Sequence, residues 1–366
     1  MIESVKAMAS AGLRVVVVTP EPGPLTGDIE DAGGVPEFLN FPVLRRTDLS
    51  IRGILSLGVR ATRAFPRLVL CIRRHRASVV YVNTVTLPWW LAAGRLAGAR
   101  TICHVHEAEG HDRAITRMGL YGPLALSHAN IMISRAALRS ATDTVSMIAR
   151  KSVLVRNGVR DRPTPVSPPP RGDVIALGVV ARLSPRKGTM DALDAVRLLR
   201  ERGHPVELHL YGSAFEGYET YEKDLRAEAS QPILADSVHF HGYVRPIWGA
   251  LDQLDIVIAP SRVEPYGNSV VEAQYSGRPV VASTAEGHCE SIDDGKTGLL
   301  FPVGDAEVLA DQIERLIKDP GLASSLVENA RDAALSRNGV ARYAEAIVRV
   351  VTPIPSVKAA NRDVAK

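Results

Sequence analysis

Two glutamates separated by seven residues, Glu264 and Glu272, and two cations separated by four, Arg182 and Lys187, have the types and spacing to do chemistry. The glutamates belong to DIVIAPSRVEPYGNSVVEAQYSGRPVVAS, residues 255–283. Asp255–Ala259 reads as a short buried strand, Asn268–Tyr275 as a helix after a Pro-Tyr-Gly turn, and Pro279–Ala282 as the next parallel strand. Glu264 then falls in the loop at the carboxyl end of a strand, where open parallel sheets bind ligands. Glu272 falls near the start of the following helix, and the helix dipole by itself favours an acid there. The cations belong to ARLSPRKGTM, residues 181–190, between strand Val174–Val180 and a helix opening at Thr189. Arg182 and Lys187 there join the free N–H groups and positive dipole end of a helix, a combination suited to a diphosphate. The order Arg-x4-Lys-Gly-Thr is not that of a phosphate-binding P-loop, and no G-x-G-x-x-G follows a strand, so a nicotinamide or flavin cofactor has no support.

A third group is CHVHEAEG, residues 103–110. His104 and His106 alternate along a strand and share a face, while Glu107 ends the strand at the expected binding edge. His239 and His241 alternate in the same way. Neither histidine pair has a third protein ligand at a recognisable spacing, so no metal site is expected. Trp89 and Trp90 read as core at a helix start rather than as a stacking platform.

These residues need a scaffold of repeated strand–helix units, and the chain is long enough for two. At 366 residues it exceeds the size at which one core stops growing. Helix Ile2–Ser10, strand Leu13–Thr19, basic helices, strand Val79–Asn83, helix Trp89–Leu96 and strands Arg100–His106, Ala129–Ser134 and Val153–Arg156 make a first alternating half, residues 1–160. DRPTPVSPPPRG, residues 161–172, is a linker. Strands Val174–Val180, Val206–Tyr211 and Val238–Gly242, with helices Thr189–Arg202, Tyr218–Ser230 and Ile247–Leu254, lead into the Glu-bearing unit. Helices Asp305–Ile317 and Ala323–Leu335 close a second domain, residues 173–335. One more helix, 336–351, is expected to pack back toward the first domain, ahead of a flexible tail, 352–366.

Together these motifs resemble the retaining family 4 glycosyltransferases, the group 1 glycosyl transferases, over most of the chain. The resemblance implies an α/β fold of GT-B architecture, two Rossmann-like doubly wound domains facing a central cleft. It implies that Arg182 and Lys187 bind the donor diphosphate, that Glu264 approaches the donor sugar and that Glu272 holds the ribose hydroxyls. Gly212 and Ser213 match a turn near the phosphates, and Tyr243 and Val244 a turn whose backbone reads the base. Gly267, Asn268 and Ser269 open a helix toward phosphate or sugar. His106 is assigned to the reacting centre, with Glu107, Glu109 and Asn83 on the acceptor side. The chain departs from the family by Ala181 in place of a glycine and by Glu286-Gly287-His288-Cys289-Glu290 in place of Gly-Gly-x-Pro-Glu.

The implied reaction moves a sugar from a nucleoside-diphosphate donor to an acceptor hydroxyl with retention. No metal or other cofactor is expected, since fixed cations take the leaving-group charge and the chain contains no Asp-x-Asp. The other readings are a nucleotide-sugar epimerase, revealed by products from donor alone, and a catalytically silent nucleotide-sugar-binding protein. The latter arises because the chain opens on a helical pattern where a doubly wound domain starts with its central strand. The first domain is therefore expected to lack that strand, and the chain to bind donor but transfer poorly until upstream residues are restored.

Composition narrows the setting. With 46% hydrophobic and 23% charged residues and no long apolar run, the chain reads as globular, and no signal-peptide pattern precedes Ala11. A cytoplasmic location is expected. Cys71, Cys103 and Cys289 are few, odd in number and scattered, which fits reduced thiols. Arg45, Arg46, Arg52, Arg60, Arg63, Arg67, Arg73, Arg74 and Arg76 face a single acid, Asp48, interleaved with Leu55, Val59, Leu68, Val69 and Ile72. This predicts one or two basic amphipathic helices and a peripheral contact with an anionic membrane surface at its inner face. Nucleic acid is not expected, because no aromatic-and-basic module accompanies the arginines. A lipid-linked glycan of an envelope or polysaccharide pathway is the acceptor this reading favours.

Overall fold

The computed structural model describes residues 1–44, 51–108, 113–162 and 172–352. Arg45, Arg46, Asp48, Glu109, most of the Pro-rich segment and the tail lie outside the described residues. The chain divides into two compact units, Met1–Gly158 with the segment from Val340, and Val159–Gly339. The change of unit thus precedes the Pro-rich segment. Asp161 pairs with Arg331 at 3.3 Å, and Arg162 pairs with Asp252, so both belong to the second unit.

The first unit runs α1 (Ile2–Ser10), β1 (Val15–Thr19), α2 (Leu25–Asp31), β2 (Gly34–Phe38), α3 (Ile51–Arg74), β3 (Val79–Val82), α4 (Pro88–Leu96), β4 (Arg100–Val105), α5 (Ala114–Tyr121), β5 (Ala129–Met132), α6 (Arg135–Thr144) and β6 (Ser152–Leu154). Its strands form two parallel sheets, β1-β2 and β3-β4-β5-β6. Of the basic stretch, residues 51–74 form one helix, α3, with Pro66 inside it. Leu68, Val69 and Ile72 are buried in the core, whereas Leu55, Val59 and Leu70 stay exposed beside Arg60, Arg63, Arg67 and Arg73.

The second unit runs β7 (Ile175–Val180), α7 (Thr189–Glu201), β8 (Val206–Tyr211), α8 (Glu219–Ala229), β9 (Val238–Gly242), α9 (Trp248–Leu251), β10 (Ile256–Ala259), α10 (Asn268–Tyr275), β11 (Val280–Ser283), α11 (His288–Ser291), β12 (Leu299–Phe301), α12 (Ala306–Lys318) and α13 (Pro320–Asn338). Its six parallel strands lie in the order β12-β11-β10-β7-β8-β9, the doubly wound order whose direction reverses between β7 and β10. Strand β10 is buried throughout, as the apolar run Ile256–Ala259 requires of a strand covered on both faces. Helices α7 and α12 bury Val196, Leu199, Leu309 and Ile313 on one face, and α9 and α10 bury Leu251, Val270 and Ala273 on the other.

Residues 336–351 are not one helix. Ser336–Asn338 end α13, Gly339 breaks it in an extended conformation, and α14 (Val340–Val351) follows. A side chain at Gly339 would lie 2.8 Å from the Leu335 carbonyl, so the chain turns out of the helix at a residue without one. Tyr343, Ile347 and Val351 of α14 pack with Met8, Ile102 and Ile131 in the first unit.

Gly178 in β7 lies under Leu254, and a methyl there would come 2.1 Å from its Cδ1, whereas Gly58 in α3 has nothing within 4 Å. We expect Gly178→Ala to cost roughly 1–3 kcal/mol by overpacking and Gly58→Ala to gain about 0.5–1 kcal/mol of helix propensity. Urea denaturation checks both.

Candidate functional site

The β7 and β10 strands are neighbours, with Ile256–Ile258 paired to Leu177–Val179, so the loops leaving their carboxyl ends start side by side. Those loops hold Arg182, Lys187 and Glu264. They are stitched together by the main chain: the Arg262 N–H donates to the Arg186 carbonyl at 2.9 Å, and the Arg186 guanidinium donates to the Val263 carbonyl at 3.3 Å. Arg262 also pairs at 2.7 Å with Asp191, buried in the first turn of α7. Gly188 precedes α7 in a left-handed conformation, and a Cβ there would sit 1.9 Å from the Pro260 carbonyl. Only glycine permits that approach.

The two chemical groups of the sequence meet here. The Lys187 ammonium donates to Glu264 Oε2 at 2.5 Å, and the Ser261 hydroxyl donates to the same oxygen at 3.3 Å. Burial pushes the Glu264 pKa up, but the Lys187 charge, then His288 and further hydrogen bonds, outweigh it and hold the carboxyl below its ordinary range. It is therefore an ionised, nearly buried carboxylate. Arg182 is exposed and lies over the Phe215 ring at 4.0 Å. Burial of its head group and nearby Arg186 lower its pKa.

Gly212 closes β8 against the β7 loop, and a Cβ there would meet the Ala181 carbonyl at 1.8 Å. The Leu183 N–H donates to the Ser213 carbonyl at 3.2 Å, and the Gly212 N–H to the Gly242 carbonyl at 2.8 Å, so the turns after β7, β8 and β9 form one rim. Tyr243 is highly exposed on that rim, followed by half-buried Val244. Gly267 caps α10 in a left-handed conformation, followed by exposed Asn268 and half-buried Ser269. Glu272, one turn into α10, has its pKa raised to about 7 by burial.

His288 emerges from the structure and was not assigned a role from the sequence. It is fully buried, its Nδ1 lies 3.2 Å from the Ser283 hydroxyl and carbonyl, and its Nε2 is buried without a hydrogen-bond partner. Burial first, then Lys187, lower its pKa to about 4 against the opposing Glu264 charge. It packs against Gly267, where a Cβ would lie 2.8 Å from the ring. Gly287 supplies the other fixed point. Its N–H donates to the Glu264 carbonyl at 2.9 Å, and a Cβ would lie 2.5 Å from that oxygen. The departure from Gly-Gly-x-Pro-Glu thus keeps the glycine that packing demands.

In the first unit His106 Nε2 lies 3.2 Å from Asn83 Oδ1, and burial lowers its pKa to about 4, keeping the imidazole neutral. His104 is fully buried against the Tyr81 hydroxyl at 2.6 Å and is a core residue. Glu107 turns both oxygens into its own unit, accepting from the Thr84 hydroxyl and the Val85 and His106 N–H groups. Burial raises its pKa.

Residues 165–333 match the family described as Glycosyl transferases group 1, and residues 3–169 match the Glycosyl transferase 4-like domain. The chain is 24% identical over 348 residues to the 2-deoxystreptamine glucosyltransferase of Streptomyces kanamyceticus, covering 86% of this chain and 88% of that protein. It is 26% identical over 159 residues to the capsular polysaccharide biosynthesis glycosyltransferase CapM of Staphylococcus aureus, covering 43% of this chain and 41% of that protein. Against several curated relatives the aligned stretch spans about half of their length or less. The crystal structure of HepE from Anabaena in complex with UDP and glucose superimposes with a TM-score of 0.82 at 23% identity, covering 96% of this chain and 95% of that one. The shared fold is GT-B.

Lys187→Ala leaves a nearly buried carboxylate without its cation, so we expect it to cost on the order of 2 kcal/mol, and Lys187→Met with Glu264→Gln to recover most of that. Glu264 has a depressed pKa, so its contribution is present above about 4.5 and lost as pH falls through its folded value. Glu272 has the opposite sign. Its folded pKa of about 7 exceeds its ordinary 4.5, so it costs stability increasingly from pH 4.5 to 7. Glu272→Gln should therefore match the parent Tm at pH 4 and exceed it by several degrees at pH 8. A Tm difference independent of pH contradicts this.

Proposed function

The chain belongs to the group 1 glycosyltransferases, and we propose that it transfers a sugar from a nucleoside-diphosphate donor to an acceptor hydroxyl with retained anomeric configuration. The observation that carries the reading is the meeting of Lys187 and Glu264 at the β7/β10 switch point, ahead of α7 and on the loop that also carries Arg182. As the bond from the anomeric carbon to the diphosphate breaks, its electron pair passes to the departing phosphate oxygen. Arg182, Lys187 and the first N–H groups of α7 are charges and dipoles of the right sign to stabilise it. An ammonium has three donors, and Glu264 takes one at 2.5 Å. The pair therefore holds Lys187 in place before donor arrives, while the ammonium keeps donors for phosphate oxygens. Glu264, ionised, faces the electron-poor sugar, Glu272 receives the ribose hydroxyls, and Tyr243 with Val244 flanks the base. The family resemblance assigns His106, neutral here, to the reaction and Asn83, Glu107 and Glu109 to acceptor recognition. No enzymic nucleophile is assigned, and the charge stabilisation calls for no added divalent ion.

A nucleotide-sugar donor is supported by the HepE structures solved with UDP and with UDP-glucose. A glycan or lipid-linked glycan of polysaccharide biosynthesis is the acceptor supported by the CapM likeness. Among the described residues no helix is long and apolar enough to cross a membrane. The exposed face of α3, with Leu55, Val59 and Leu70 among arginines, supports a peripheral contact with anionic lipid.

Arg182→Ala and Lys187→Met, each kept folded, should lower kcat by about 100- to 1,000-fold, and adding Mg²⁺ or Mn²⁺ to chelated enzyme should not change the rate. A panel of nucleotide sugars read by product NMR tests donor and retention together. Products from donor alone, or an inverted anomer, refute the reading. Reversing Arg63, Arg67 and Arg73 to Glu should abolish salt-sensitive sedimentation with phosphatidylserine vesicles. These three are the fair choice, because Arg74 is committed to an ion pair with Glu37.

A further inference from the structure

Strand β9 is an edge of the second unit's sheet, and one face of its junction with β8 is lined by imidazoles. Glu207, His209 and Tyr211 alternate along β8, and His239 and His241 along β9. His209 and His239 stand directly opposite in register. Glu207 Oε2 lies 3.3 Å from His239 Nε2 and 3.8 Å from His209 Nε2. A ligand atom from each of Glu207, His209 and His239 falls within 4.8 Å of the others. Three ligands about 2.0–2.1 Å from one zinc ion in a tetrahedron stand about 3.3 Å apart. The side chains therefore need to move by little more than an ångström to close on an ion.

The remaining groups also fit. His209 Nδ1 lies 3.0 Å from His241 Nε2. With the proton on His209 Nδ1 and donated to His241, Nε2 of His209 is left unprotonated toward Glu207 and His239. A metal-ligating histidine almost always gives its second N–H to an acceptor, which fixes tautomer and ring orientation, and here an imidazole nitrogen takes the place of the usual carboxylate, carbonyl or water. Tyr211 stacks on His241 at 4.4 Å and holds that ring in turn. Half-exposure of Glu207 and His239 leaves a fourth position open to water. Two imidazoles and one carboxylate suit zinc-class ions, whereas magnesium and calcium take oxygen ligands.

We propose that Glu207, His209 and His239 bind one zinc-class divalent cation, with His241 as the partner that orients His209. The ion ties the edge strand to its neighbour directly below the turns carrying Gly212 and Tyr243. The proposal is independent of the glycosyl-transfer reading. Spacing along the sequence hides the site, since His239 and His241 look like the pair while the third and fourth groups come from β8. Among the described residues one other such cluster exists, Glu37, Cys71 and His75. There the carboxylate already pairs with Arg74, a cation that competes with a metal ion.

The test is titration of untagged, full-length protein, stripped by chelator and dialysis, with Zn²⁺ in competition against a chromogenic chelator. One equivalent should bind and raise Tm by several degrees, and Co²⁺ should give the intense visible bands of a tetrahedral site. Glu207→Gln and His239→Gln should each weaken binding at least tenfold, and His241→Phe about 10- to 100-fold without removing a ligand. Far-UV circular dichroism checks that each variant is folded. Binding that persists at parent affinity in the folded Glu207→Gln/His239→Gln double variant overturns the proposal. So does the absence of saturable binding, or its loss in Cys71→Ser, which would place the ion in the other cluster.

Discussion

Strands β7 and β10 are hydrogen-bonded neighbours whose following helices, α7 and α10, cover opposite faces of the same sheet. The chain must part at that seam, and the site depends on what fills the parting. Two loops fill it, one bearing Arg182, Arg186 and Lys187, the other Arg262 and Glu264, and the Lys187–Glu264 pair joins them. Their attraction is strong because it acts away from bulk water, and for the same reason neither charge tolerates losing the other. The Lys187–Glu264 pair is thus a structural tie that joins the two loops across the seam.

The close approaches around the seam follow from that tie. Gly188 lets the α7 loop reach the Pro260 carbonyl, Gly212 lets β8 turn against Ala181, and Gly287 lets the β11 loop reach the Glu264 backbone. Each is a contact of main chain with main chain, which no side chain survives, so the loops after β7, β8, β10 and β11 are held against one another. His288 is carried in by the last of them and contributes a neutral, buried ring beside Glu264. Two carboxylates on one short segment consequently have opposite electrostatic fates: Glu264 has a cation and stays ionised, while half-buried Glu272 has its pKa raised to about 7 by desolvation.

Local pattern carried the second unit further than the first. Strands Val206–Tyr211 and Val238–Gly242 and helix Asn268–Tyr275 lie where periodicity places them, because each is a run of one period bounded by glycine, proline or a polar turn. In the first unit α2, β2, α5 and α6 were not anticipated. Strand β2 contains Gly34 and Pro36 and exposes Val35, so it has neither the apolar run nor the alternation of a strand and is held by its pairing with β1. The break at Gly339 was missed for a similar reason. The non-helical backbone at Gly339 and the bond from Asn338 to the distant Tyr266 leave no periodic trace.

By itself the sequence determined the α/β class and the family, because the cations and carboxylates that carry the resemblance sit at fixed offsets from strand ends and helix starts. Only the tertiary structure decided which of them touch. Lys187 and Glu264 are 77 positions apart and meet at 2.5 Å because β7 and β10 pair across the seam. Likewise Glu207 and His209 meet His239 only because β8 and β9 align in register. Contacts within one element follow from periodicity, whereas contacts between elements follow from strand order, which no local pattern encodes.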